Sequence, residues 1–178
     1  DLLIHCLGLV PRHAIEGWGW PEPRLRYANA ALCDALIVGG AALGQAADIR
    51  QGLTLLAVLL EIETSPDGHL SVTGSHGRGP GDIGPLWDQQ PIEPAALADA
   101  CAHAYAVTGS DVWRSGVERS WSWFVGGNDT GVTIYDADTG AGHDGLEPTG
   151  RNENCGAEST LAALSTLQRL REVTEPAA

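Results

Sequence analysis

Five carboxylic acids recur among amides and aromatic rings: Asp88, Glu93, Asp144, Glu153 and Glu158. Cleaving a glycosidic bond takes two carboxyl groups on opposite sides of it, one protonated and one ionised. These five are the candidate catalytic residues. Asp144 or Glu158 is the expected general acid, held protonated by burial. Asp88 or Glu153 is the expected base that activates water. Beside them stand Tyr27, Asn29, Trp87, Gln89, Gln90, His143, Arg151, Asn152 and Asn154. Amide side chains donate and accept, as a sugar hydroxyl does. Trp and Tyr join a flat apolar face to a polar edge, and this chain has six Trp and three Tyr against one Phe. The nine are therefore the candidate substrate-binding residues. Trp18 and Trp20 lie in loop segments near the same clusters, while Trp113, Trp121 and Trp123 share one helical stretch and read as packing.

The elements that must carry these residues repeat. Ala30-Ala31-Leu32-Cys33-Asp34-Ala35 returns as Ala95-Ala96-Leu97-Ala98-Asp99-Ala100, an offset of 65, and Gly44 matches Gly109 as Glu93 matches Glu158. A fixed period of this size marks one supersecondary unit used several times, and such units bury their apolar faces by stacking. The segment Ala30–Leu43 is apolar nearly all round, with Asp34 its only charge, so it predicts a helix buried on most sides. Gly44 and Gly109 stand where a left-handed cap closes a helix. A second helix is expected over 49–62 in the first unit and over 111–125 in the second, where Ser110 is the expected N-cap. A third inner helix is expected over 158–171. Short β-like runs, 70–73 and 132–135, interrupt the long Gly-rich connections. Loops this long are uncommon in a compact domain unless they carry function.

Inner helix, outer helix and decorated loop, in that order, predict a single all-α domain over 1–178. Its helical hairpins are of the (α/α)6 toroid type, and its long loops carry short β-hairpins. The polar clusters precede or open three inner helices, so the loop end of the ring is where a site is expected. Acids in a first helical turn also complement the helix dipole, and capping alone accounts equally well for Glu93 and Glu158. At this period the chain holds fewer than three hairpins; a closed ring needs roughly twice the length. A partial ring is therefore expected. It is either an open arc or a fragment completed by a missing N-terminal half-domain, a glycosyltransferase domain or a second copy. The first residue is Asp and there is no Met, which fits a chain whose natural start is missing.

A net charge of −13, with no Lys at all, argues against nucleic acid and anionic membranes, since both select a basic face. No run is long enough to span a bilayer. Cys6, Cys33, Cys101 and Cys155 are scattered, which suits a reducing, cytoplasmic setting. Cys33 and Cys101 read as small core residues. His143 with Cys155 lacks the spacing of a zinc site, and His5, Cys6 and His13 read as ordinary residues of a terminal helix. No metal or cofactor is expected. Asp34 and Asp99 match in phase and need partners on a neighbouring helix or loop; His103, inside an apolar helix, reads as a hydrogen-bonded core residue.

Tyr27-Ala28-Asn29-Ala30, Trp87-Asp88-Gln89-Gln90-Pro91-Ile92-Glu93, Asp144-Gly145-Leu146 and the string from Asn152-Glu153-Asn154-Cys155 to Glu158-Ser159-Thr160 resemble the six-hairpin (α/α)6 glycosidase-like domains. In particular they resemble the domain found C-terminal to bacterial GT4-type glycosyltransferases. The resemblance spans roughly residues 18–170 and covers the second half of such a domain. The last string departs from the family at Cys155, where Gln is usual, so a hydrogen-bonding side chain is lost. The resemblance implies a carbohydrate context and supplies no catalytic pair. Three readings follow: a glycoside-cleaving enzyme; a non-catalytic module that binds glycans or packs on a glycosyltransferase; and a sugar epimerase or isomerase with His69, His76 or His143 moving a proton.

Overall fold

A computed structural model describes residues 2–175; Asp1, on which the reading of the chain start rests, and residues 176–178 lie outside the described residues. The fold is mainly helical: α1 (Leu2–Leu9), α2 (Ala30–Leu43), α3 (Ala46–Ile62), α4 (Ile92–Thr108), α5 (Asp111–Phe124) and α6 (Ala157–Thr174). Strands β1 (Leu146–Glu147) and β2 (Gly150–Arg151) pair antiparallel, Leu146 opposite Arg151. Helix α4 packs between α2 and α6, while α3 lies on α2, and α5 on α4 and α6. Three helices thus form an inner row and two an outer row.

Both hairpins use the same closing device. Gly44 and Gly109 end α2 and α4 in the left-handed conformation, at φ 67° and 66°, where a side chain would be strained. Both also bring the outer helix against the inner one at a glycine. A Cβ on Gly52 of α3 would lie 2.8 Å from the Cys33 carbonyl oxygen, and one on Gly116 of α5 would lie 2.5 Å from Cys101 Sγ. The bare backbone lets each pair close on buried side chains, Leu36, Ile37, Leu55, Leu56 and Leu59 in the first hairpin, Leu97, Val117, Trp123 and Phe124 in the second. Cys33 and Cys101 are buried free thiols. Trp113 and Trp123 are core residues, and Trp121 packs beside Phe124 at a centroid distance of 6.1 Å. The matched aspartates each find the next inner helix: Asp34 Oδ1 lies 2.7 Å from His103 Nδ1, and Asp99 accepts from Arg169 Nε at 2.7 Å.

Some elements differ from the expectation. Helix α3 begins three residues earlier than 49, at Ala46, because Ala46 and Ala47 extend it at no conformational cost. Ser110 occupies the N-cap position of α5 in extended conformation, yet its side chain makes no capping bond. The runs 70–73 and 132–135 are not strands; isolated bridges take their place, Thr64–Leu70 in one case and Val125–Thr133 in the other. Further bridges, Leu25–Arg78, Gly74–Gln89 and Gln89–Leu146, stitch the long loops into one layer over the starts of the inner helices. Gly74 permits this, since any Cβ there would collide with the Trp87 carbonyl oxygen. Among the described residues no helix is long and apolar enough to cross a membrane.

Candidate functional site

Glu93, in the first turn of α4, is buried, and its carboxylate does not cap its own helix. Oε1 accepts from the Ala28 backbone N–H at 2.6 Å. Oε2 lies 3.4 Å from the Asn29 N–H and 3.3 Å from Asn29 Nδ2. The carboxylate reaches one repeat back and ties down the start of α2. Ala28 holds a positive φ of 48° there, which costs energy for a residue with a Cβ; the short bond from its N–H helps hold that shape. Burial, with the neighbouring Glu63 carboxyl adding to it, lifts the Glu93 pKa to about 8 against the pull of the three N–H donors. Glu93 is therefore mostly protonated at neutral pH.

It sits in a cleft of about 270 Å³ lined by Arg26, Tyr27, Thr73, His76 and Gln90. Gln90 also lines a second cleft of about 340 Å³, where Asp144, Ser159 and Glu158 stand at the start of α6. Asp144 Oδ1 accepts from Ser159 Oγ at 2.6 Å, and Tyr27 Oη donates to Glu158 Oε1 at 3.2 Å. Burial, and then the like charges of Glu147 and Asp144, raise the Asp88 pKa, with His76 opposing. The structure thus gathers Tyr27, Gln90, Glu93, Asp144 and Glu158 along two adjoining clefts, with Asp88 next to Asp144.

Other candidates are spent inside the protein. Gln89 is fully buried; Nε2 donates to Asp129 Oδ2 at 2.6 Å and Oε1 accepts from Trp123 Nε1 at 3.1 Å. Asn29 gives its oxygen to the Arg26 N–H at 2.7 Å and its nitrogen to Glu93, so it builds the site wall. Trp87 is half-buried against the core, and Trp20 is wholly buried, so Trp20 offers no face to a ligand. His143 is buried, with Nδ1 3.0 Å from the Asn152 carbonyl oxygen and 3.6 Å from Cys155 Sγ. Among the described residues no group of three His, Cys, Asp or Glu could hold a metal. Asn152 donates to Glu147 Oε1 at 3.1 Å and accepts from the Asn154 N–H at 2.9 Å. Arg151 reaches Glu153 and the Thr133 carbonyl oxygen on the surface. Arg151, Glu153 and Asn154 are exposed and line neither cleft.

Sequence reasoning missed Glu63, Thr73, Arg26 and Arg78. Glu63 ends α3, is fully buried, and accepts from the Thr73 N–H at 2.8 Å. A signal was present: a carboxylate at a helix C-terminus opposes the helix dipole, so something else must hold it there. His69, weighed above for proton transfer, is tied to Ser65 and Asp129. No protein-family model matches the chain, and no curated protein matches it.

Proposed function

We propose that this chain is a carbohydrate-active portion of an (α/α)6 toroid, acting by acid and base chemistry on a glycosidic bond at its loop end. The observation that carries the reading is Glu93, a buried carboxyl at the wall of a polar cleft, where burial pushes its pKa up to about 8. A general acid is needed in that state and place. Glu93 then gives its proton to the leaving oxygen. Glu158 or Asp144, across Gln90 in the adjoining cleft, activates water from the other side. Tyr27, Gln90 and His76 hold hydroxyls. Glu93 replaces Asp144 and Glu158 as acid because its burial is deeper. Glu153, 78% exposed in its side chain and paired with Arg151, is a poor base. The setting proposed is cytoplasmic, with a glycan as ligand and neither nucleic acid nor membrane as partner.

A second reading, a glycan-binding or packing module of a glycosyltransferase, draws on a different feature. Helices α2, α4 and α6 leave between them a largely apolar groove of about 570 Å³, lined by Ala31, Ala95, Leu161 and Leu164. Leu161 and Leu164 are 65% and 49% exposed, a face suited to a missing half-domain, a glycosyltransferase domain or a second copy. Sugar epimerisation loses support, because His69 and His143 are engaged and His76 alone borders the cleft. The test is an oligosaccharide panel read both for binding by calorimetry and for released reducing ends. Cleavage that Glu93→Gln abolishes supports the enzyme. Binding without cleavage supports the module, and absence of both overturns the carbohydrate reading.

A further inference from the structure

The turn after α3 holds a serine and a histidine, and the second hairpin brings an aspartate to them. Ser65-Pro66-Asp67-Gly68-His69 is turn chemistry, with Pro and Gly at the bend, and the Ser65 N–H closes it on the His69 carbonyl oxygen at 2.9 Å. Ser65 Oγ lies 3.1 Å from His69 Nδ1, and His69 Nε2 lies 3.0 Å from Asp129 Oδ1. The Asp129 side chain is only 4% exposed. Its Oδ2 accepts from Gln89 Nε2 at 2.6 Å, and Gln89 Oε1 accepts from Trp123 Nε1 at 3.1 Å. These bonds can run in one direction only. An indole nitrogen donates and never accepts, so the Gln89 amide turns its oxygen to Trp123 and its NH2 to Asp129. A carboxyl is a stronger acid than an imidazole, so the proton between Asp129 and His69 sits on Nε2. The neutral ring then keeps its lone pair on Nδ1, and Ser65 must donate its O–H to that nitrogen. A serine so bonded is poised to lose its proton to the base beside it.

We propose that Ser65 and His69, oriented by Asp129, are a second catalytic centre, one that hydrolyses esters of short acyl groups. A cavity of about 120 Å³ is lined by Ser65, Ser71, Arg78 and Asp129, and none of its lining residues belongs to the cleft of Glu93. Its size suits an acetyl group. Ser65 and His69 are both partly exposed, so the alcohol part of the ester stays outside. Arg78 is buried, and its Nε has no partner among the described residues. That leaves one cationic donor in the wall for an oxyanion. Ser65 Oγ attacks the acyl carbon, and its proton passes to His69 Nδ1. The bond from the acyl carbon to the alcohol oxygen breaks, and the alcohol leaves with that proton. Water then attacks the acyl-serine, giving one proton to Nδ1. The carboxylic acid departs and Ser65 takes the proton back. Asp129 and Gln89 are positioning residues, which act through the ring by fixing its tautomer. The chain carries its own control: Ser75 Oγ lies 3.2 Å from His76 Nδ1, yet among the described residues no carboxylate is bonded to that ring.

The centre is independent of the glycan chemistry proposed for Glu93, and it is tested without a glycan. The whole chain is treated with phenylmethylsulfonyl fluoride, and adducts are located by peptide mass spectrometry. Ser65 should be modified about 100-fold faster than Ser75, and His69→Gln should remove that advantage. Equal rates at the two serines, or an unchanged rate in His69→Gln, overturn the proposal. With nitrophenyl acetate, an acetyl group should appear on Ser65 and then be lost to water, and longer acyl chains should react more slowly. Acetyl transfer that bypasses Ser65, or rates indifferent to chain length, would sink the assignment of centre and cavity. Nuclear magnetic resonance of 15N-labelled histidine reads the tautomer directly. His69 should carry its proton on Nε2 when neutral. In Asp129→Asn the new amide must keep its oxygen towards Gln89 and offer its NH2 to the ring, so the proton should move to Nδ1 and Ser65 should lose its reactivity. A wild-type ring protonated on Nδ1 refutes the mechanism by itself, which keeps the test decisive should Asp129→Asn fail to fold.

Discussion

The interface between α2 and α4 and the interface between α4 and α6 are repeats of one another at one end and strangers at the other. Farther along the helices they match: Asp34 meets His103 across the first, and Asp99 meets Arg169 across the second. At the loop end the matched acids part company. Glu93 is buried and clamps the backbone of Ala28 and Asn29. Glu158 stands exposed, with Tyr27 Oη as its contact at 3.2 Å. The same residue type at the same repeat position has been made structural and proton-bearing in one place and left free to meet solvent in the other. A repeated scaffold can hold two carboxyls of opposite character at neighbouring positions, and acid and base catalysis requires such a pair.

The comparison breaks most visibly in activity. On any glycan the protein cleaves, both Glu93→Gln and Glu158→Gln should lower kcat by about 100-fold or more, and Glu158→Gln should leave the melting temperature within a few degrees. Full activity in Glu158→Gln would remove it from the site. Stability should separate the two acids next. Glu93→Ala strands buried N–H groups and should cost about 3 kcal/mol in urea unfolding, whereas Glu158→Ala should cost under about 0.5 kcal/mol. Equal losses would erase the distinction. The hairpins should respond alike where they are alike: Gly52→Ala and Gly116→Ala each force a helix pair apart and should cost roughly 1–3 kcal/mol.

A pH series sharpens the contrast further. The folded pKa of Glu93 lies above its unfolded value, so the native state keeps a proton that the unfolded chain releases. The stability it contributes is fully present below about 4.5 and is lost as pH rises to about 8. Glu63 acts in the same direction. Unfolding free energy should therefore fall across this window, and the slope should shrink in Glu93→Gln. The smallest effect belongs to the contacts the two interfaces share: Asp34→Asn and Asp99→Asn, both partly solvent-exposed, should each cost about 0.5 kcal/mol in thermal unfolding.

The helices were legible because their signals are local. An unbroken apolar run ending in Gly gives α2 and its cap without knowledge of anything distant, and the in-phase aspartates announced a contact between neighbours. Tyr27, Gln90, Glu93 and Glu158 were singled out because they cluster at helix starts, and they line the two adjoining clefts. What was hidden depends on chain segments far apart. Gln89 reads as a sugar-binding amide until Asp129 and Trp123 arrive from the second hairpin and occupy both of its ends. The run 70–73 alternates like a strand, but the chain beside it offers single bridges rather than a partner strand. Glu63 looks like a charge at the end of a helix, and only the return of residues 71–78 over it makes it interior.

That stitched layer has a consequence for how such a protein can change. Residue 25 is bridged to 78, residue 74 to 89 and residue 89 to 146, so three loops from different repeats share one set of backbone bonds. Loops of most scaffolds are interchangeable parts, and new specificities arise by lengthening one while its neighbours stay put. Here the parts are wired in series. An insertion near residue 80 would be felt at Gln89 and, through the bridge it makes, again at Leu146. Divergence of this mouth must then proceed by substitution at fixed length, or by several loops altering together.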